Sequence, residues 1–323
     1  MKVLVTGGAG YIGSVTVARL LEKGYKVIVF DNLERGHKEA IDKKASFIEG
    51  DLRNRDSILS AIKNTRPDAV IHFAAYALVG ESMLNPAMYF QNNVNGGINL
   101  LEAMDKYNVK RLVFSSSCAT YGDPGKKFIS EETPQLPTNP YGESKLVFEK
   151  IAMWFMQRKE LHAVFLRYFN ACGAAAGRGE DHEPETHLIP LVIKTALKQM
   201  PYVKIMGNNY PTPDGTCVRD YIHIDDLASA HILALSTAHK GPFNLGIGRG
   251  YSVKEIIGAA EKVVGTKIPY KITERRPGDP PHLVAANKKA IKLLGWKPRY
   301  TDIEKIIKTA WQWHKDHPSG YGG

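Results

Sequence analysis

The stretch Lys2-Val3-Leu4-Val5-Thr6-Gly7-Gly8-Ala9-Gly10-Tyr11-Ile12-Gly13 decides the fold. A short β-branched run leads directly into Gly-x-x-Gly-x-x-Gly, and residues 12 to 23 then carry their apolar side chains at helical spacing. Gly7, Gly10 and Gly13 let the backbone turn tightly and approach a pyrophosphate, whose charge meets the N–H groups and positive end of the helix. Asp31 ends the next apolar run, 18 residues beyond Gly13. A carboxylate there accepts both ribose hydroxyls of an adenosine and repels a 2′-phosphate. The combination predicts NAD rather than NADP, with Arg35 the one neighbour that would soften the preference. A glycine turn that merely packs a helix on a strand needs neither the following helix nor Asp31.

Outward from this unit, Lys26 to Phe30, Ser46 to Glu49, Ala69 to Phe73, Arg111 to Ser115 and Val164 to Tyr168 read as strands. The segments near 56–64, 91–107 and 142–158 read as helices. Alternation of strand and helix implies an α/β fold with a doubly wound parallel, Rossmann-type sheet. Beyond residue 170 the texture changes to Gly- and Pro-rich loops, so a dinucleotide domain over 1–170 and a smaller C-terminal substrate domain over 171–323 are expected. The segment 219–247, with its late run Pro242 to Gly246, is the candidate to return to the first domain.

With 323 residues, 43% hydrophobic and 24% charged, the chain has ample core and is not disordered. The 43 Lys and Arg exceed the 33 Asp and Glu, giving +10. The basic clusters Lys43-Lys44, Lys126-Lys127, Arg275-Arg276 and Lys288-Lys289 stop at pairs, short of the runs that make an interaction tail, so no nucleic-acid partner is expected. Three widely spaced cysteines, Cys118, Cys172 and Cys217, suit a reducing compartment. No apolar run reaches membrane-spanning length and none of the leader pattern is present, so a cytoplasmic protein without a membrane partner is expected. The stretch His182-Glu183-Pro184-Glu185-Thr186-His187 lacks the spacing of His-Glu-x-x-His, and Pro184 opposes the helix that motif needs, so no metal is expected. Trp311 and Trp313 read as helix residues packing their indoles on the domain.

Tyr141 and Lys145 stand four apart on one face of a helix begun by Asn139 and Pro140. Chance supplies about one such pair in a chain with 15 tyrosines, so the spacing alone carries nothing. Its place does: it lies one element after Ser115-Ser116-Ser117, at the end of a strand, where sheets of this kind bind their ligands. A phenol is a poor base at neutral pH, and a lysine one turn away, a nicotinamide cation and the helix end all favour its phenolate. Ser117 can hydrogen-bond the same reacting hydroxyl.

At these residues the sequence resembles the extended short-chain dehydrogenase/reductases and, within them, the UDP-glucose 4-epimerase family. The likeness runs nearly end to end, through Thr6 to Gly13, Val70 to Ala75, Val79 to Ser82, Asn92 to Gly96, Tyr141 to Lys145, Leu166 to Asn170, Val218 to His223 and Arg275 to Asp279. The resemblance implies an isomerase: reversible, NAD-dependent inversion at C4 of a UDP-hexose through a transient 4-keto sugar. Tyr141 would take the 4-hydroxyl proton, Ser117 would hold the 4-oxygen, and Lys145 would bind the nicotinamide ribose. On the cofactor side the matching positions are Tyr11, Ile12, Asp31, Asn32, Asp51, Leu52, Phe73, Ala74, Ala75, Asn92 and Phe169. Asn170, His187, Leu188, Arg219, Tyr221, Arg276 and Asp279 match the UDP-sugar side, where two arginines suit a diphosphate.

Ala77 stands where some members carry a lysine, and His187 where others carry asparagine. Leu283 occupies the position whose bulk gates N-acetylated sugars, which implies a preference for UDP-glucose and UDP-galactose over the N-acetyl forms. A related 4,6-dehydratase would need an Asp-Glu pair after the serine block, where this chain has Cys118-Ala119-Thr120. The segment Leu146 to Phe155 is apolar on more than one face, and with the resemblance it points to a homodimer.

Overall fold

Short apolar runs with no polar alternation demand cover on both faces, and parallel pairing between helices supplies it. The computed structural model describes residues 1–125, 128–276 and 279–322. Its first strands are β1 (Lys2–Thr6), β2 (Lys26–Asp31), β3 (Ser46–Glu49), β4 (Ala69–His72), β5 (Arg111–Ser117) and β6 (His162–Tyr168). After these come β7 (Asn170–Cys172), β8 (Val203–Met206), β9 (Val218–His223), β10 (Gly241–Leu245), β11 (Gly250–Ser252), β12 (Tyr270–Thr273) and β13 (His282–Leu283). The helices through the middle of the chain are α1 (Tyr11–Glu22), α2 (Arg55–Thr65), α3 (Val79–Leu84), α4 (Pro86–Tyr89), α5 (Gly96–Lys106) and α6 (Pro140–Arg158). They are followed by α7 (Leu188–Ala196), α8 (Ile224–Ala234), α9 (Val253–Val264), α10 (Lys288–Leu294) and α11 (Ile303–Asp316).

Seven strands form one sheet in the order β10-β6-β5-β4-β1-β2-β3, and every pairing in it is parallel. Alternate residues feed two cores. Val3, Val5, Val113, Val164 and Leu166 face one side with α1 and α8. Leu4, Leu112, Phe114 and Phe165 face the other with α2, α5 and α6. The strand expected at Pro242–Gly246 is β10 at the edge of this sheet, beside β6. A third core gathers α7, α9 and α11 with Trp311 packed against it, while Trp313 is buried beside Gly179 and stacks on His317, so both indoles pack on the domain as expected. There β9 pairs with β7, β11 and β13. Lys126-Lys127 and Pro277-Gly278 lie outside the described residues.

One expected helix is built differently. The segment near 91–107 comprises α4, a π-helical stretch Phe90–Asn95 and α5. The wider turn carries Asn93, whose amide accepts from Tyr76 N (2.8 Å) and donates to Tyr76 O (3.0 Å) and Ser144 Oγ (2.9 Å). A π-bulge that turns a side chain inward is a usual mark of a functional region.

Beneath the end of β5 lies a buried ion pair the sequence reading did not single out. Glu149 on α6 meets Arg167 on β6, whose Nε donates to Oε1 at 2.9 Å, while Ser116 Oγ donates to the same carboxylate. Arg167 also reaches Tyr121 Oη (2.9 Å), which donates to Asn244 Oδ1 (2.7 Å) on β10. Both charges are almost fully buried, so removal of one partner strands the other. Replacing Glu149 by Gln is therefore expected to lower unfolding stability by about 3–5 kcal/mol; a urea titration that finds under about 1 kcal/mol contradicts this placement.

Candidate active site

The parallel register sets the carboxyl ends of the strands in a row, and several of the expected site residues fall on it. Thr6 pairs with Phe30 on one side and with His72 on the other, so the Gly7 turn, Asp31 and the Phe73-Ala74-Ala75 segment leave the sheet together. Ser117 at the end of β5 pairs with Tyr168. Two residues on, Asn170 pairs with Tyr221, and Arg219 on that same strand pairs with Leu283. The Gly7 turn, Asp31, Phe73 to Ala75 and Ser117 thus lie at carboxyl ends of the main sheet, where the topology reserves a place for ligands, while Asn170, Arg219, Tyr221 and Leu283 lie on the neighbouring small sheet.

At the Gly7 turn the glycines are required by close approach. Gly7 has φ +72°, and a Cβ there would stand 2.5 Å from Ala74 N; a Cβ on Gly13 would stand 2.1 Å from Gly7 O. Gly10 is the N-cap of α1 with no side-chain cap, which leaves the first N–H groups of the helix to an external acceptor. Asp31 is buried; its Oδ2 accepts from Ala9 N (3.0 Å) and its Oδ1 from Leu33 N (2.9 Å). Its carboxylate therefore braces the turn, and each oxygen retains a lone pair for a hydroxyl donor. Asn32 Nδ2 donates to Asp51 Oδ2 (3.1 Å), and Leu52 packs behind them in the core. Asn92 donates to Asn93 Oδ1 (3.0 Å) on the far side of the cleft. This uncapped helix end with its acidic companion fits a dinucleotide.

At the start of α6, Asn139 caps the helix by accepting from Gly142 N (2.8 Å), and Asn93 and Ser144 lock the same turn, Ser144 Oγ donating to Tyr141 O (2.7 Å). Tyr141 stands beside Ser117, whose Oγ accepts from Ala119 N at 3.1 Å. Lys145 is 3% exposed; its Nζ donates to Ser115 O at 2.9 Å and lies 5.9 Å from the centre of the Tyr141 ring. Burial pushes the Tyr141 phenol up, while Ser117 beside it pulls it back. Burial also pushes the Lys145 ammonium down to about 7, with Glu149 resisting. The sequence argument for a phenolate therefore needs an amendment: desolvation of both groups outweighs the lysine's help, and the phenolate depends on an added positive charge beside the ring.

Phe169 is buried beside Cys118 and Tyr121, with Leu283 packed against them. Arg219 is 8% exposed and pairs with Asp279 at 2.5 Å, so two residues of the expected sugar-nucleotide set hold each other. Tyr221 is buried, Leu188 opens α7, and Arg276 is exposed. His187 turns its Nδ1 onto Glu180 (2.9 Å) and Glu185 (3.0 Å). Tyr11 donates from Oη to Gly173 O (2.6 Å) and so ties α1 to the loop after β7.

Besides Asn93, Ser144, Glu149 and Arg167, the sequence reading passed over Asp220. It is fully buried and accepts from Ile247 N (2.8 Å), Gly248 N (3.0 Å) and Ala285 N (3.1 Å), which fixes the loops flanking Arg219 and Leu283.

The fold and this site define a dinucleotide-dependent enzyme, and comparison with known proteins is specific about which kind. Residues 3–246 match the model of the NAD dependent epimerase/dehydratase family, and the chain belongs to that family. It is 52% identical to a UDP-glucose 4-epimerase of Halalkalibacterium halodurans, over 99% of this chain and 98% of that protein. Among solved structures it resembles UDP-glucose 4-epimerase from Brucella ovis in complex with NAD, with a TM-score of 0.93 and 44% identity over 96% and 97% of the two chains. The Bifidobacterium longum enzyme in complex with NAD+ and UDP gives a TM-score of 0.94 and 41% identity over 99% and 100%.

The burial of Lys145 has a measurable consequence. The folded chain releases this proton near pH 7, whereas an unfolded lysine holds it to about pH 10.4. In that window the unfolded state binds more protons, so stability rises with pH, by up to about 1.4 kcal/mol per unit. Denaturation of the ligand-free chain from pH 7 to 10 is expected to show this rise and the Lys145→Met variant to lack it; parallel profiles contradict the assignment.

Proposed function

We infer that this protein is an isomerase that interconverts UDP-galactose and UDP-glucose by NAD-dependent inversion at C4. The observation that carries the reading is Tyr141 beside Ser117 at the end of β5, with Lys145 one helical turn on and bonded to Ser115 O, in the sheet that begins with the Gly7–Gly13 turn. NAD, when bound, supplies the group that accepts the hydrogen from C4 and returns it to the opposite face, so the net redox change is zero.

The residue roles in this reading are those the resemblance implies, and placement supports them. The N–H groups at the start of α1 hold the pyrophosphate and Asp31 the adenosine ribose. Tyr141 takes the proton from the 4-hydroxyl and gives it back after the sugar has presented its other face, while Ser117 orients the 4-oxygen. Lys145 holds the nicotinamide ribose and keeps α6 on the end of β5. Arg219 and Arg276 meet the diphosphate, which means that Arg219 divides its donors between Asp279 and the ligand. The absence of a carboxylate in Cys118-Ala119-Thr120 disfavours the elimination chemistry of a dehydratase.

The division of labour runs near residue 170. The cofactor half comprises 1–170 together with the returning α8 and β10, and the remainder carries the substrate. Support comes from β10 in the main sheet and α8 against α1. Among the described residues no helix is long and apolar enough to cross a membrane. The free, buried Cys118 and Cys172 suit the reducing cytoplasm.

UDP-galactose is expected to yield UDP-glucose in a coupled dehydrogenase assay. Tyr141→Phe should lower kcat on the order of 10²–10⁴-fold, and UDP-N-acetylgalactosamine should turn over more slowly than UDP-galactose because Leu283 fills the sugar pocket. An unaffected Tyr141→Phe variant sinks the mechanism, and equal turnover of the two sugars sinks the role of Leu283.

A homodimer is the second element of the proposal. On α6, Met153 and Trp154 are 39% and 61% exposed, and on the adjoining α3, Met83 and Leu84 are 57% and 81% exposed. A patch of this kind on a soluble protein marks an interface. Light scattering is expected to give twice the chain mass for the wild type and a shift to the single chain for Trp154→Glu; a monomeric wild type at micromolar concentration overturns the dimer.

A further inference from the structure

The loop between β7 and α7 carries a side-chain cluster of which only His187 belongs to the expected sugar-nucleotide set. Glu180, His182, Glu185 and His187 each turn one donor atom inward, and the four atoms lie within 4.8 Å of one another. His187 Nδ1 is 2.9 Å from Glu180 Oε1 and 3.0 Å from Glu185 Oε1. His182 Nδ1 is 3.3 Å from Glu180 Oε1 and 3.8 Å from Glu185 Oε2. The side chains of Glu180 and Glu185 are each only 4% exposed.

Hydrogen bonding leaves this cluster unfinished. His182 Nδ1 and Glu185 Oε2 are both buried and neither makes a hydrogen bond, although each faces the other. A buried, unpaired carboxylate oxygen is costly, and an imidazole nitrogen aimed at carboxylates carries either a proton or a metal. One proton on His187 satisfies Glu180 Oε1 and Glu185 Oε1, yet leaves the other pair orphaned. One divalent cation at the centre satisfies all four donors and offsets the two carboxylate charges.

We propose that Glu180, His182, Glu185 and His187 form a structural binding site for a divalent transition metal, Zn²⁺ by preference. Two imidazole nitrogens and two carboxylate oxygens are a donor set that zinc takes tetrahedrally, whereas Ca²⁺ and Mg²⁺ favour oxygen alone. Metal–ligand bonds of about 2.0–2.1 Å put tetrahedral donors about 3.3 Å apart, within the range of separations here. The sequence argument against a metal concerned a helical His-Glu-x-x-His, and it does not reach this site. Residues 180–187 form an irregular loop, bent at Glu183 and Pro184, that brings its donors together.

A closed site with four protein ligands has no open position for chemistry, so its work is to hold the loop. That loop bridges the two parts of the molecule. The ring of His182 meets that of Tyr11 edge-on at 6.1 Å, His37 Nε2 bonds Asp181 O at 3.0 Å, and His187 caps α7, whose first residue Leu188 borders the substrate side.

The test uses the full chain, stripped with a chelator and titrated with Zn²⁺ alone. One zinc per chain is expected by elemental analysis, with a rise in melting temperature. Cobalt in its place should give the intense visible bands of tetrahedral Co²⁺. His182→Ala and Glu185→Gln, checked for native circular dichroism, should each weaken zinc binding by about tenfold or more. A wild type that binds no zinc, an octahedral cobalt spectrum, or undiminished stoichiometric zinc in both folded variants overturns the proposal. The first of these outcomes would leave a protonated histidine between two carboxylates.

Discussion

The hydrogen bond from Lys145 Nζ to Ser115 O is the contact on which the rest of the site depends. It joins the first turns of α6 to the end of β5 and, with the Asn139 cap and the Asn93–Ser144 bond, sets Tyr141 beside Ser117. An ammonium in so dry a place is tolerated because its donors meet a carbonyl, the Phe114 ring lies 4.9 Å away, and Glu149 stands one turn further on. The same burial that makes the lysine an accurate anchor weakens its charge. On the proposed reading burial favours the neutral phenol, and bound NAD would supply the positive charge that favours the phenolate.

Around this contact the structure spends its buried charge on geometry. Glu149 and Arg167 lash α6 to β6 and, through Tyr121 and Asn244, to β10. Asp220 gathers three backbone N–H groups behind Arg219. Asn93 does the same for the start of α6 from the π-helical stretch. These groups act through others, and together they hold the strand edge rigid while a sugar reorients against it.

Most of the cofactor half was legible in the sequence because its constraints are local. Gly13 is dictated by its contact with Gly7 and Asp31 by its place at the end of β2, both within one βαβ unit, and only the contact of Gly7 with Ala74 reaches beyond it. Tyr141 and Lys145 became legible through their place after Ser117, since their spacing is a common accident. The bracing residues were not legible, because Glu149 and Arg167 are 18 residues apart and meet only when α6 lies across β6. The hint was present in each case as a charge within an apolar element. In the 180–187 loop only helical spacing was weighed, and it does not show that the irregular chain there brings four donors together.

The central claim is that the C4–H bond of the sugar is broken and remade inside one closed site, with Tyr141 handling only the hydroxyl proton. UDP-galactose deuterated at C4, converted by the NAD-bound protein in ordinary water, tests this directly. The account predicts UDP-glucose that keeps its deuterium at C4. A product whose C4 deuterium has been replaced by solvent hydrogen contradicts it.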